Sequence, residues 1–265
     1  MSAPRPETRE EVAPPVGSVR HLWDQFGTLA VALLIALGVR ACVAEPFRIP
    51  SGSMFPTLLV GDHLFVNKFL YGPKLPFTDL RLPGVRPPRR GDVVVFEVAR
   101  GGPGIFPADR RSDLPRESFV KRVIGLPGDV IEVQGGRLTI NGQLVPDEAT
   151  GETFTDPRGV TSDVHRESLP DGPVHLVLDD PARPGINGRW TVEPGRYLMM
   201  GDNRDDSNDG RVWGTVRLDE FKGPAFLLYW SWDFDGSWLS MLNPITWLDL
   251  LVTKTRWSRI GHGIE

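Results

Sequence analysis

Residues 129–142 read Asp129-Val130-Ile131-Glu132-Val133-Gln134-Gly135-Gly136-Arg137-Leu138-Thr139-Ile140-Asn141-Gly142. Two short β-branched runs meet at Gly135-Gly136, the signature of a β-hairpin whose turn needs positive φ. The same grammar extends outward. Leu126-Pro127-Gly128 is a turn, Lys121-Arg122-Val123-Ile124 precedes it, and Asp92-Val93-Val94-Val95-Phe96-Glu97-Val98 follows Arg90-Gly91. Strands this short, separated by turn residues, predict a mainly β fold built on an antiparallel β-sheet. From about 143 to 193 the chain is richer in Pro, Gly, Asp and Thr, and only Val174–Leu178 and Trp190–Val192 read as strands. That segment is expected to be an inserted β-rich lobe, with the main core resuming at Gly195-Arg196-Tyr197-Leu198-Met199-Met200.

The composition closes off some functions. A net charge of −4 and a pI near 5.8, without an isolated basic run, argue against nucleic acid as a partner. A single cysteine, Cys42, excludes an internal disulfide and a cysteine-rich metal site, and reads as filler in an apolar segment. No repeat period is visible.

Residues 26–44, FGTLAVALLIALGVRACVA, form the one long apolar run. At about 1.5 Å per residue a helix of this length covers roughly 28 Å, close to the ~30 Å hydrocarbon layer. Arg40 lies near enough to one end to snorkel. A buried helix and a cleaved export signal ending near Ala44 are alternatives, but Arg40 and the long preceding tail favour an uncleaved transmembrane helix. Residues 1–25 carry Pro, Glu and Arg without periodicity and are expected to be a disordered tail. Flanking charges (Arg5, Arg9 and Arg20 against Arg48 and Lys68) leave the orientation open.

Just beyond this run stands Pro50-Ser51-Gly52-Ser53-Met54-Phe55-Pro56-Thr57-Leu58. A serine in a bend framed by Pro and Gly presents its hydroxyl from a fixed backbone, within reach of the membrane surface. Zinc is dismissed, since the five histidines are scattered and H-E-x-x-H is absent. No G-x-S-x-G elbow surrounds Ser53. A histidine base would have to be His63, His165 or His175, with His63 beside Asp62 the best of them. The other base for a serine is lysine. Lys121 alone sits in a strand-like run, Phe119-Val120-Lys121-Arg122-Val123-Ile124, where alternation turns it opposite to Val120 and Arg122. Burial would lower its pKa toward use as a base; a head group snorkelling to water is the competing reading. The segment Gly201-Asp202-Asn203-Arg204-Asp205-Asp206-Ser207-Asn208-Asp209-Gly210-Arg211 fails as a calcium loop, because Val216 stands where the twelfth-position Glu belongs. It reads as a self-bonded turn that props neighbouring groups.

Four blocks in order, Pro50–Leu58, Arg90–Phe96, Lys121–Asp129 and Gly201–Gly214, together resemble the type I (leader) signal peptidases. The resemblance implies a membrane-anchored serine endopeptidase that removes signal peptides from exported preproteins, cutting after small residues and using no cofactor. It implies Ser53 as nucleophile and Lys121 as general base. Ser51 and Ser53 would form the oxyanion hole, with Ser207, Asp209 and Arg211 in support. Ile49, Pro50, Met54, Leu58, Phe119 and Val120 would line the pockets for substrate side chains. The chain departs from the commoner pattern at Asp206, where Asn is usual, and at Gly210, where Ser is frequent. The end of the chain also resembles Gram-negative members. The expected layout is a cytoplasmic tail (1–25), an inner-membrane anchor (26–44) and a periplasmic catalytic domain (45–265). Trp230, Trp232, Trp238, Trp247 and Trp257 crowd the last part of the chain, suited either to the lipid headgroup layer or to the core. The competing class is a membrane-tethered, non-catalytic β module that binds exported proteins.

Overall fold

The structure is a computed structural model that describes residues 19–74, 78, 80–101, 104–106, 115–183, 185–233, 247 and 249–264. Helix α1 (Val19–Cys42) is followed by β1 (Ala44–Arg48), β2 (Asp62–Asn67), β3 (Val93–Gly101), β4 (Gly104–Phe106) and β5 (Arg116–Gly125). Next come β6 (Val130–Gln134), β7 (Arg137–Ile140), β8 (Gln143–Leu144), β9 (Asp147–Thr155), β10 (Thr161–Ser168), β11 (Val174–Asp179) and β12 (Gly188–Thr191). The chain continues through β13 (Arg196–Met200), α2 (Gly210–Trp213), β14 (Val216–Arg217) and β15 (Phe221–Ser231).

Among the described residues the strands form three sheets, antiparallel at every strand pairing. The largest runs β1-β2-β15-β3-β5-β13-β14, with β4 on β3. Its middle strand β3 is buried on both faces, which is why it reads as a continuous β-branched run. Val93 and Val95 join Val120, Leu64 and Leu228 in one core, while Val94, Phe96 and Val98 join Val123 and Phe221 in another. The sheet therefore separates two apolar clusters, and period-2 alternation assigns each side chain to one of them.

The hairpin that opened the sequence reading is β6–β7, with Val133 opposite Leu138 and Gln134 opposite Arg137. Its turn residues Gly135 and Gly136 have φ of +57° and +78°. Asn141-Gly142 makes the next turn, to β8. These strands and β12 form a four-stranded sheet over Ile131, Val133, Leu138 and Ile140. The segment 143–193, expected as an inserted lobe, thus contains β8 and β12 of that sheet as well as a separate three-stranded sheet, β11-β10-β9, over 147–179. β9 and β10 are strands that the sequence reading lacks: β9 is largely exposed, so no apolar alternation marks it. β15 was missed too, because Lys222-Gly223-Pro224 reads as a break. The strand tolerates it through irregular register, with Gly223 so close to Asn67 O that a Cβ would lie 2.2 Å away.

α1 overlaps the run expected as an anchor. Among its described side chains Leu29, Leu33, Leu34, Ile35 and Leu37 are all exposed. Among the described residues no helix is long and apolar enough to cross a membrane. Most of the expected tail, the Cys42 side chain and Trp238 lie outside what is described.

Candidate active site

The serine bend is a one-turn 3₁₀ helix, Gly52–Met54, entered from an extended Ser51. Two apolar residues bolt it down on opposite sides. Met54 joins Ile49, Leu58 and Val120 in the first core, and the Phe55 ring meets Phe154 of β9 at 5.2 Å, over Val164 and Leu178. Backbone bonds Ile49 N→Asp62 O (2.8 Å) and Gly61 N→Ile49 O (3.1 Å) close the loop behind it. Ser53 is left half-buried. The first N–H groups of such a turn have no acceptor inside it, and the Ser51 hydroxyl makes no capping bond.

Lys121 Nζ lies 2.5 Å from Ser53 Oγ and donates to Val120 O at 3.1 Å. The side chain is 3 % exposed, so it does not snorkel. Burial pushes its pKa down from 10.5 to about 8; Asp209 and Asp202 pull it back up, and Arg211 adds to the depression. An amine this close to neutrality is able to take a proton from the hydroxyl it touches.

The 201–211 loop packs directly behind the pair. At Gly201 a Cβ would lie 2.2 Å from Ser207 Oγ and 2.4 Å from Ser53 O, so only glycine allows this approach. Asn203 donates from its backbone to Ser53 O (3.2 Å) and from Nδ2 to Gly52 O (3.1 Å). Thr57 Oγ1 donates to Asp202 Oδ2 at 2.5 Å. Asp202, fully buried, also receives Arg122 in a bidentate pair at 2.8 Å for each bond. Asp209 caps α2 and accepts from Gly201 N, Arg211 N and the Arg211 guanidinium. Arg211 in turn donates to Arg204 O at 2.6 Å. Ser207 Oγ is buried beside the dyad with no hydrogen-bond partner among the described residues.

Arg122, Asn203, Thr57, Arg204 and the lobe residue Glu167 were not picked out as site residues from the sequence, and His175, named there only as a possible base for the serine, instead turns Nε2 toward Glu167 Oε1 (3.4 Å) and Asp202 Oδ1 (3.9 Å). Arg122 was legible in principle: a second cation in an apolar strand needs a buried carboxylate. The others depend on contacts between distant segments.

A groove of about 1060 Å³ runs along the dyad. Pro50, Ser51, Ser53, Phe119, Lys121 and Ser207 line one part of it, and Phe154, Arg158 and Asp206 another. Of the residues expected to shape substrate pockets, Pro50 and Phe119 line the groove, whereas Ile49, Met54, Leu58 and Val120 are buried in one cluster with Met54 next to Ser53. Both departures from the commoner pattern have local explanations. Asp206 pairs with Arg158 and Arg183 from the 143–193 segment, and at Gly210 a Cβ would lie 2.8 Å from Met199 O.

The alternative histidine bases lie elsewhere. His63 Nδ1 is 3.0 Å from Gly61 O and its ring meets Tyr229 and Trp232 edge-on. His165 pairs with Asp147.

The model of the family described as "Signal peptidase, peptidase S26" matches residues 22–230. A signal peptidase I of Pseudomonas aeruginosa is 38 % identical over 213 residues, covering 76 % of this chain and 69 % of its own length. One from Pseudomonas fluorescens is 40 % identical over 215 residues with the same coverage, and one from Rickettsia typhi is 32 % identical over 89 % of this chain and 92 % of its own. A crystal structure of a signal peptidase I from Enterococcus faecalis, 23 % identical, covers 53 % of this chain and 98 % of its own at a TM-score of 0.28, too loose a superposition to carry an argument.

Proposed function

The chain belongs to the signal peptidase, peptidase S26, family, and from that membership we propose that it removes leader peptides from exported preproteins through a Ser53–Lys121 dyad. One observation carries the mechanism: the buried Lys121 amine, its pKa lowered to about 8, lies 2.5 Å from Ser53 Oγ. Ser53 Oγ attacks the carbonyl carbon of the scissile peptide as neutral Lys121 takes its proton. The oxyanion that forms is held by Ser53 N–H and the free Ser51 hydroxyl at the N-terminal end of the turn. Lys121 then gives the proton to the leaving amine, the C–N bond breaks, and an acyl ester remains on Ser53. Water, deprotonated by Lys121, attacks the ester, releases the leader and restores the hydroxyl.

Specificity for small side chains before the cut comes with the family reading: of the residues it assigns to the substrate pockets, Pro50 and Phe119 line the groove, while Ile49, Met54, Leu58 and Val120 are packed together in the core. A non-catalytic binding module has no use for a desolvated lysine held against a serine, so the tethered-module reading is set aside.

The decisive measurement is cleavage of a leader-bearing preprotein by the purified full chain. Ser53→Ala is expected to leave no turnover, and Ser51→Ala to lower kcat about 10²–10³-fold, the usual effect of losing one oxyanion donor. Normal cleavage by Ser53→Ala overturns the proposal.

The same reading places residues 26–44 in the inner membrane, the 1–25 tail in the cytoplasm and residues 45–265 in the periplasm. Support comes from the contiguous exposed apolar residues of α1 and from exposed Phe226 and Trp257 near the end of the fold. Ser53 lies nine positions past Ala44, which tethers it within about 30 Å of the bilayer even with the link fully extended. Enzyme and leader then meet on one surface at raised effective concentration. Alkaline extraction of membranes from expressing cells is expected to leave the chain in the pellet; its release into the supernatant would refute the anchor.

A further inference from the structure

Asp202–Arg204 is gripped from two sides. On one side is the nucleophile turn, bonded through Thr57, Gly52 and Ser53 as described. On the other is the three-stranded sheet of 147–179. Leu178 of β11 donates its N–H to Asp202 O at 2.9 Å and accepts from Arg204 N at 3.1 Å, a parallel bridge that aligns this strand with the loop. Two more side chains of the sheet reach the same place. Glu167 of β10 holds Arg204 in a bidentate pair at 2.6 and 2.7 Å. His175 of β11 has Nε2 3.4 Å from Glu167 Oε1 and 3.9 Å from Asp202 Oδ1, between the Arg204–Glu167 and Arg122–Asp202 pairs. All five side chains are buried.

We propose that Glu167 and His175 are positioning residues for the peptidase reaction: they fix Asp202–Arg204, and through Asn203 they hold the Gly52 and Ser53 carbonyls that set Ser53 Oγ against Lys121. This rests on the Ser53–Lys121 reading. Neither residue lines the groove, so neither is placed to contact substrate. Each has a distinct task. Glu167 is the counter-charge that keeps Arg204, and with it the backbone between Gly201 and Asp205, in place. His175 is an uncharged spacer; burial and the neighbouring Arg122 guanidinium push its pKa down to about 4, against the pull of Asp202 and Glu167, and Arg204 also faces it. The ring keeps the two ion pairs apart. Without it Arg204 would be free to move toward Asp202 and draw the loop away from the serine turn. Misplacing a reacting atom by about 1 Å can cost ~10²-fold in rate, so a modest shift of Asn203 is sufficient.

Kinetics of the full chain on a leader-bearing preprotein test this, with active sites counted by a covalent serine label. Glu167→Gln is expected to lower kcat per labelled site about 10- to 100-fold with KM within about twofold. Arg166→Gln, exposed on the same strand, should match the parent. Glu167→Gln combined with Arg204→Met removes the stranded charge, so stability should return while kcat stays low. Recovery of kcat along with stability, or an effect carried by KM alone, overturns the inference. Should Glu167→Gln fail to fold, His175→Leu decides on the same criteria, with kcat expected to fall at least about fivefold. Cleavage that survives Ser53→Ala defeats the underlying reading; inactive Ser53→Ala alongside fully active Glu167→Gln and His175→Leu defeats only this inference.

Discussion

Lys121→Met is expected to abolish cleavage and yet leave the folded chain more stable at neutral pH. Loss of a general base alone costs about 10²–10⁴-fold, and no other titratable side chain is bonded to Ser53 Oγ among the described residues. Stability moves the other way because the native lysine is held in an environment that disfavours its charge. The unfolded amine keeps its proton up to 10.5, whereas the folded one releases it above about 8. Between these values the unfolded state binds more protons, so the parent gains stability as pH rises through that window; below it the full penalty applies. At about 1.4 kcal/mol per pH unit this penalty is about 3 kcal/mol, offset in part by about 1 kcal/mol for each hydrogen bond the lysine makes. Methionine fills similar space without the charge. The variant should therefore unfold a few degrees higher at pH 7, with its advantage shrinking toward pH 10.5. Urea unfolding at pH 7 and pH 10 measures both, and a variant less stable than the parent at pH 7 contradicts the account. The parent's own kcat should rise through pH 8 as Lys121 becomes neutral.

Asp202→Ala is the largest destabilisation expected from one site. The side chain is fully buried and satisfies Arg122, itself 0 % exposed, together with Thr57. Removing it strands a guanidinium in the interior, which costs about 3–5 kcal/mol. Arg122→Ala should cost a similar amount, and the double variant clearly less than the sum, because neither charge is then left alone. Strictly additive losses would mean that the pair is not coupled. The folded fraction should also show a shifted profile. Asp202 is among the carboxylates that raise the Lys121 pKa, so its loss moves the acid limb of the pH–rate curve to lower pH.

Much of this was legible in the chain. The hairpin over 129–142 announced itself through Gly-Gly, and β3 through its β-branched run, because both are governed by local sterics and burial. The proximity of Ser53 and Lys121 is different. No local rule links residues 68 positions apart; elimination of other bases and its apolar strand singled out Lys121, the family resemblance paired it with Ser53, and Nζ lies 2.5 Å from Oγ. What stayed hidden was polar. β9 and β10 carry few apolar residues, and Glu167 looks like an ordinary charged strand residue, and His175 like no more than a possible base, until the chain closes on itself. Buried charge is poorly encoded locally, since a carboxylate next to its arginine in space need not be near it in sequence.

The six charged side chains of this buried cluster, Arg122, Arg204 and Arg211 against Asp202, Glu167 and Asp209, cancel. That balance constrains descent. Any single replacement strands its partner inside the protein, so a lineage can change the cluster only by passing through a crippled ancestor or by altering two codons together. The groove wall has no such lock: Arg158 is mostly exposed, and its bond to Asp206 can be lost at little cost. The buried cluster behind Ser53 and Lys121 is therefore locked against gradual change, while the exposed wall of the groove is left free to drift.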